Sequence, residues 1–287
     1  MHADITTFFD EATSTVTYLV ADPDTSSAAI IDPVLDYDPR AGHVSTVSAD
    51  RVAKAVTEKG LRIEWLLETH VHADHLSAAL CLKDRLGGRI GIGEHIRDVQ
   101  VHWSRVFGVE REFPPDRPYF DHLFRDGELI GIGVLPVRVL HTPGHTAADV
   151  SFLVGDAAFV GDTLFMPDYG TARTDFPGGN ARTLYRSIRR ILDLPPKTRV
   201  FTAHDYLAPG RDRHAWESTV AEQRASNVHV HDGVSEDDFA AMRTARDATL
   251  GMPTLLLPSV QVNMRGGRLP PPEENGVRYL KIPLNAP

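Results

Sequence analysis

The densest chemistry in the chain is Thr69-His70-Val71-His72-Ala73-Asp74-His75, where three imidazoles and one carboxylate fall within six consecutive positions. Neutral imidazole and carboxylate are ligands for Zn²⁺, Fe²⁺ and Mn²⁺. Scattered His and Asp are usually surface groups or satisfied core groups, but four ligand-type groups packed this densely are hard to explain without a metal ion. The segment follows Ile63-Glu64-Trp65-Leu66-Leu67, which reads as a buried strand. His70 and His72 point the same way if strand geometry persists. Asp74 and His75, on the turn that follows, can swing to the other side of a common centre.

Three more strand ends carry one ligand type each: His145 in His141-Thr-Pro-Gly-His145, Asp162 in Val160-Gly-Asp-Thr163, and His204 in Thr202-Ala-His-Asp-Tyr206. Singly each is weak, since an Asp after Gly at a strand end is usually a turn residue. Together they complete a ring of seven ligands. Seven suffice for two adjacent metals with a bridging carboxylate, or for one metal with unused neighbours. His141 reads as a structural partner of its Pro-Gly turn. Tyr206 is a candidate to place its hydroxyl beside Asp162, against the plain reading of a buried tyrosine with an incidental hydrogen bond. Arg173 and Asp175 flank Thr174, as a loop-shaping salt bridge or as a contact to a substrate carboxylate.

The elements that must position these groups are legible in outline. Thr15–Ala21 and Ala28–Asp32 read as a strand pair, and a helix capped by Ser48 or Asp50 ends at Gly60. A helix over Ser77–Leu86, a strand over Arg89–Ile92 and a helix over Glu94–Val106 follow, with loop from Pro114 to Tyr119. Strands are predicted at Glu128–Ile132, Leu135–Leu140, Ala148–Val154, Ala157–Val160 and Arg199–Ala203, and a helix at Ala181–Leu192. Two further helices, about Ala215–Ala225 and Ser235–Leu250, precede a Pro-rich tail in which Tyr279–Ile282 looks like a strand. The ligands lie on successive strand ends between 70 and 204, so one folded unit must bring them together.

Composition narrows the function. The 287 residues are 42% hydrophobic and 24% charged, with a formal net charge of −9, which argues against a phosphate-tracking nucleic-acid surface. A single cysteine, Cys81, leaves no disulfide framework or Cys-rich metal site, and its helical setting reads as a buried inert thiol. No apolar run approaches a bilayer span, and the start Met1-His-Ala-Asp-Ile lacks a basic n-region. The expectation is a soluble, cytoplasmic protein acting on a small molecule, with no membrane partner.

Thr-His-x-His-x-Asp-His followed by His145, Asp162 and His204 resembles the metallo-β-lactamase superfamily over about residues 10 to 210. The resemblance implies an α/β fold, an αββα sandwich of two mixed β-sheets flanked by helices, with metal bound at one edge. Residues 1–210 are then the catalytic core, and 211–287 are C-terminal helices and an extended arm packed on it, a single domain overall.

Within the superfamily, His70-Val-His-Ala-Asp-His-Leu-Ser-Ala-Ala79, Gly161-Asp-Thr-Leu-Phe165, Arg173-Thr-Asp-Phe176 and His204-Asp-Tyr206 are similar to the persulfide dioxygenases. That resemblance implies one Fe(II) per chain, which uses O₂ to oxidise glutathione persulfide, or a related small persulfide, to sulfite and the thiol. Carried over by motif position, the iron ligands are His70, His145 and Asp162, a two-His-one-carboxylate triad with open faces for sulfur and O₂. His72, Asp74, His75 and His204 then hold the ligands and shape the pocket. Tyr206 and Arg173 are the catalytic candidates, and Arg224 and Asn227 resemble the segment lining the glutathione pocket. A homodimer or homotetramer is implied, with the C-terminal arm as an interface element. The segment Asp168-Tyr-Gly-Thr-Ala-Arg173 departs from the branch in lacking a cysteine just before Arg173.

The rival is a glyoxalase II-type hydrolase of glutathione thioesters with two Zn, Fe or Mn ions. There His70, His72 and His145 hold one metal, Asp74, His75 and His204 the other, and Asp162 bridges, so that a bridging hydroxide attacks the thioester carbonyl. The ligand types are identical. The surrounding text, Ala-Asp-His-Leu-Ser-Ala-Ala and Arg-Thr-Asp-Phe, favours the dioxygenase. An intact ligand ring argues against a non-catalytic sensor.

Overall fold

A computed structural model of the chain describes residues 2–114 and 118–286; the middle of the loop expected from Pro114 to Tyr119 falls outside the described residues. In chain order the strands are β1 (Asp4–Asp10), β2 (Thr15–Ala21), β3 (Ser27–Ile31), β4 (Val34–Asp38), β5 (His43–Ser45), β6 (Arg62–Leu67), β7 (Leu76–Ser77) and β8 (Arg89–Gly93). They continue with β9 (His122–Phe124), β10 (Leu129–Ile132), β11 (Leu135–His141), β12 (Val150–Val154), β13 (Ala157–Phe159), β14 (Arg199–Phe201) and β15 (Glu217–Thr219). The helices are α1 (Val47–Glu58), α2 (Ala79–Leu86), α3 (Ile96–Phe107), α4 (Ala181–Leu192), α5 (Val220–Ser226), α6 (Glu236–Asp247) and α7 (Leu256–Asn263).

Two six-stranded sheets carry the fold, in the orders β1-β2-β3-β6-β8-β9 and β10-β11-β12-β13-β14-β15. Both are mixed: β3, β6, β8 and β9 run parallel, as do β13 and β14, and the remaining pairs are antiparallel. The alternation of each strand sends one set of side chains inward. Tyr18, Ile31, Trp65 and Leu67 of the first sheet meet Val137, Phe152, Phe159 and Phe201 of the second. The outer face of the first sheet is covered by α1, α2, α3 and α7 through Val52, Leu82, Trp103 and Val260. The outer face of the second is covered by α4, α5 and α6 through Leu184, Ile188, Val220 and Phe239. The result is the αββα sandwich.

Helix α4 shows how directly sequence sets an element. Asn180 Oδ1 accepts from the Thr183 N–H at 2.9 Å, capping the first turn. Leu184, Ile188 and Ile191 then form a buried stripe at helical spacing. Each such side chain contributes roughly 1.5–3 kcal/mol on burial.

Four expectations need correcting. The helix expected from Ala215 begins only at Val220, because Glu217–Thr219 pairs antiparallel with Arg199–Phe201 as an edge strand. Thr219 then closes a reciprocal capping box with Glu222. Tyr279–Ile282 forms no strand; instead the Gln261 side chain acts as its partner, accepting from Lys281 N at 2.9 Å and donating to Lys281 O at 3.0 Å. The Pro-rich tail also hides α7, in which Pro258 occupies the first turn, where its missing N–H has no intrahelical acceptor to lose. Cys81 is only partly buried on α2, and burial pushes its thiol up.

Candidate metal centre

All seven ligand candidates converge where the two sheets meet. His70, His72, Asp74 and His75 follow β6; His145 follows β11; Asp162 follows β13; His204 follows β14. Backbone bonds lock this edge: Val150 N donates to Thr69 O at 2.9 Å, and Val16 N to Ala203 O at 2.8 Å. The strand ends approach closely at Gly161, which has φ +53°, and a Cβ there would lie 2.7 Å from Thr69 Oγ1. Only glycine satisfies both demands without displacing a neighbour.

One ligand atom each from His70, His145 and Asp162 lie within 4.8 Å of one another, and so do those of His72, Asp74 and His75. His145 Nε2 lies 3.5 Å from Asp162 Oδ2, and His70 Nε2 lies 3.9 Å from the same oxygen. His204 Nε2 lies 3.3 Å from Asp162 Oδ1 and 3.2 Å from Asp74 Oδ2. The groups are almost wholly buried apart from Asp74.

Neighbouring acceptors fix the tautomers. Thr69 Oγ1 gives its one proton to Asp32 Oδ2 at 2.8 Å, so at 2.9 Å it accepts from His70 Nδ1–H. His145 Nδ1–H donates to the Arg173 carbonyl at 2.8 Å. His204 Nδ1 faces the Ser14 carbonyl at 3.3 Å. Each arrangement turns a bare Nε2 lone pair toward the centre, as metal-bound imidazoles require.

The fit to a metal rests on orphaned atoms. His70 Nε2, His75 Nε2, His204 Nε2 and Asp162 Oδ1 are buried with no hydrogen-bond partner among the described residues. Leaving one such group unpaired costs about 1–3 kcal/mol. A cation shared among them removes that cost, and the N and O donor set suits Zn²⁺, Fe²⁺ or Mn²⁺.

His72 behaves differently from its neighbours. Its Nε2 lies 3.0 Å from Asp32 Oδ1 and 3.5 Å from Glu68 Oε2, at ion-pair distance but outside hydrogen-bond geometry. Burial alone opposes charge on this ring, but Asp32 and then Glu68 outweigh it and hold its pKa well above the usual value. Burial and the charge of His72 push His70 and His75 below theirs. Burial, together with the neighbouring Asp32, raises Glu68, which accepts a short hydrogen bond from Ser77 Oγ.

Behind this loop stands Asn263 of α7, which no local sequence pattern marks. Its Nδ2 donates to the His72 and His75 carbonyls at 2.9 and 2.8 Å, and its Oδ1 accepts from Ser77 N at 2.7 Å. On the opposite side, Asp149 accepts from Thr146 N at 2.7 Å and shapes the turn after His145, with burial raising its pKa to about 6. The Thr146-x-x-Asp149 spacing is a local turn signal that could have found it.

A cleft of about 180 Å³ opens on the centre, lined by Asp74, His145, Asp162, Phe165, Tyr206 and Arg246 among others. Tyr206 stacks on His204, ring centroids 5.4 Å apart, and packs edge-on against Phe165. Its hydroxyl has no hydrogen-bond partner among the described residues. Although Tyr206 is 40% exposed rather than buried, desolvation against the cleft wall and the carboxylates of Asp74 and Asp162 raise its pKa above the usual phenol value. Arg173 also lines the cleft, but Asp175 takes its guanidinium in two bonds of 2.6 and 2.7 Å and the Gly251 carbonyl takes a third. Arg224 and Asn227 line no part of the cleft. Arg224 pairs on the surface with Asp232 at 2.9 Å. Asn227 is fully buried, donating to Gly170 O and Gln223 Oε1, which leaves it no donor for a ligand. His141 stands apart, stacked on His95 and bonded to the Ala147 carbonyl.

Residues 11–204 match the metallo-beta-lactamase superfamily model, spanning all seven ligand candidates. The chain belongs to that superfamily. Among members of the metallo-beta-lactamase superfamily, it is similar to a probable metallo-hydrolase of Burkholderia pseudomallei, 57% identical over 97% of this chain and 98% of the relative. Curated relatives at 51–52% identity run longer, this chain spanning 64% of their length. The mitochondrial persulfide dioxygenase of Homo sapiens is 32% identical over 90% of this chain and 87% of its own. The crystal structure of ETHE1 from Myxococcus xanthus superposes with a TM-score of 0.73 at 31% identity, covering 92% of this chain and all of that one. The chain is therefore an enzyme-family member with a metal-binding architecture. Among the described residues, no helix is long and apolar enough to cross a membrane.

Proposed function

We infer that this chain is an Fe(II)-dependent persulfide dioxygenase, taking glutathione persulfide or a related small persulfide, O₂ and water to sulfite and the thiol. The observation that carries the reading is the partition of the imidazoles. His70, His145 and Asp162 gather as one triad, while His72 groups with Asp74 and His75, or with Asp32 and Glu68. A hydrolase of the glyoxalase II type needs a His72 nitrogen in the group of His70 and His145; the His70 and His72 rings are adjacent, centroids 4.0 Å apart, but His72 Nε2 lies against Asp32 and Glu68. Similarity to the human persulfide dioxygenase and to ETHE1 of Myxococcus xanthus supports the same reading.

A ferrous ion held by the triad supplies open coordination positions for a sulfur and for O₂. The chain's own residues do the rest. Thr69 and the Arg173 carbonyl hold the two ligand imidazoles in the Nε2-presenting tautomer. Phe165, Phe176 and Tyr206 wall the cleft and limit water around the reacting sulfur. Tyr206 stays a protonated phenol, a neutral donor beside the centre. The reading carries with it one iron per chain, a homodimeric or homotetrameric cytoplasmic enzyme, and a small-molecule substrate.

A second reading, a two-metal hydrolase of glutathione thioesters, is favoured by the 57% identical relative named a metallo-hydrolase, an identity well above that of the dioxygenases. The second ligand group and the approach of His204 to both Asp74 and Asp162 offer it a second metal position. Metal content of anaerobically purified protein, with O₂ uptake on adding glutathione persulfide, separates the two. One iron and rapid uptake is the expected result. Two metals, no uptake and turnover of a glutathione thioester would replace the dioxygenase by the hydrolase.

A further inference from the structure

Three guanidinium groups line the cleft over the metal centre: Arg173, Arg243 and Arg246. Two are already spent. Arg173 is held by Asp175 and the Gly251 carbonyl. Arg243, fully buried, pairs with Asp247 at 2.5 Å and donates to the Thr171 carbonyl at 3.1 Å. Asp247 in turn accepts from Thr174 N and Oγ1 at 2.8 and 2.9 Å, so its carboxylate is fully engaged.

Arg246 is the exception. It lies three residues after Arg243 on α6, on the same side of the helix and therefore toward the same cleft. It is exposed, and among the described residues no carboxylate lies within ion-pair distance of its guanidinium and no carbonyl accepts from it. Arg173 and Arg243 are paired with Asp175 and Asp247, so among the described residues Arg246 is the one unpaired guanidinium at the mouth of the cleft, while the carboxylates Asp74 and Asp162 lie among the candidate ligands. The field of this rim reaches inward: burial, then Arg243 and Arg246, lower His229 to about 4. A free guanidinium fork at an otherwise apolar rim, with Leu250 and Pro253 beside it, matches a carboxylate in shape and charge. The cleft is open at this rim, so a tripeptide thiol whose sulfur reaches the centre extends past Arg246.

We propose that Arg246 is the specificity residue that binds a carboxylate of the substrate, selecting anionic thiol derivatives such as those of glutathione over neutral ones. This deepens the functional reading above and rests on its glutathione-derived substrate. Arg246, and not Arg224, takes the substrate-contact role.

The test uses glutathione itself, the thiol released under either chemistry, and its diethyl ester, titrated calorimetrically into the metal-loaded enzyme. Hydrogen bonds to charged groups predict that Arg246→Ala weakens glutathione about tenfold or more, leaves the ester unchanged, and is partly rescued by Arg246→Lys. Because Arg246 is exposed, the variant's melting temperature should match the parent's. Equal loss for acid and ester, or no loss for either, overturns the proposal. If the acid-specific loss appears but O₂ uptake is absent, the dioxygenase reading falls and the assignment of Arg246 stands.

Discussion

Replacing Asn263 by alanine tests how far the metal loop depends on the C-terminal helix. The substitution removes three hydrogen bonds at once and strands the His72 and His75 carbonyls and the Ser77 N–H in a buried space. Each unpaired group costs about 1–3 kcal/mol. Entry of a water that re-pairs some of them brings the expected total to roughly 3–6 kcal/mol. Against the 5–15 kcal/mol of a typical domain that is a large fraction, and it corresponds to a melting point lower by roughly 10 °C. The loop also carries His70, His72, Asp74 and His75, so metal affinity should fall about 10–100-fold, the usual effect of removing a group that orients ligands. Thermal unfolding with and without a chelator, and competition with a metallochromic dye, read the two quantities separately. Asn263→Asp should do no better, since it keeps the acceptor for Ser77 N but turns an oxygen toward two carbonyls. A melting point within about 2 °C of the parent, with unchanged metal affinity, would refute the idea that α7 clamps this loop.

Other consequences are as direct. His145→Ala or Asp162→Ala should yield protein without iron by elemental analysis, whereas His72→Ala should retain it with impaired turnover; loss of a second metal from His72→Ala as complete as the loss from Asp162→Ala would sink the single-iron reading. Gly161→Ala, whose Cβ would press on Thr69 Oγ1 at 2.7 Å, should displace the acceptor that orients His70 and weaken metal binding about tenfold, measured by titration into apoprotein. His229 titrates near 4 in the folded chain and near 6.5 unfolded, so between those values the unfolded state binds more protons and stability is lost as the pH is lowered. After discounting for its partial exposure, that loss is about 1–2 kcal/mol between pH 7.5 and 4; denaturant melts of His229→Gln across that range should lack it, and parallel curves for parent and variant would contradict the assignment.

The ring of candidate ligands was legible because chemistry and spacing coincide: four ligand-type groups within six positions after an apolar strand leave few other readings. Helix α4 was legible for a similar reason, its cap and its apolar stripe agreeing on one set of limits. What escaped the sequence depends on partners distant along the chain. Glu217–Thr219 is a strand only because Arg199–Phe201 offers an open edge, and local propensity cannot see that edge. Asn263 meets His72 across almost the whole chain length, with no local pattern to mark it. Arg224 and Arg246 look alike as residues of amphipathic helices. Only the fold reveals that the first is answered by Asp232 and the second by nothing among the described residues.

The dependence on Asn263 also has a consequence in time. Synthesis has delivered every ligand once His204 is made, yet the carbonyls of His72 and His75 stay unclamped until α7 emerges. At about 5–20 residues per second, the intervening stretch takes several seconds to synthesise. If α7 clamps this loop, the nascent site holds its donors loosely during that interval and retains an ion tightly only once the C-terminal helix is complete. The order of translation thereby becomes an order of assembly, with metal retention as its last step.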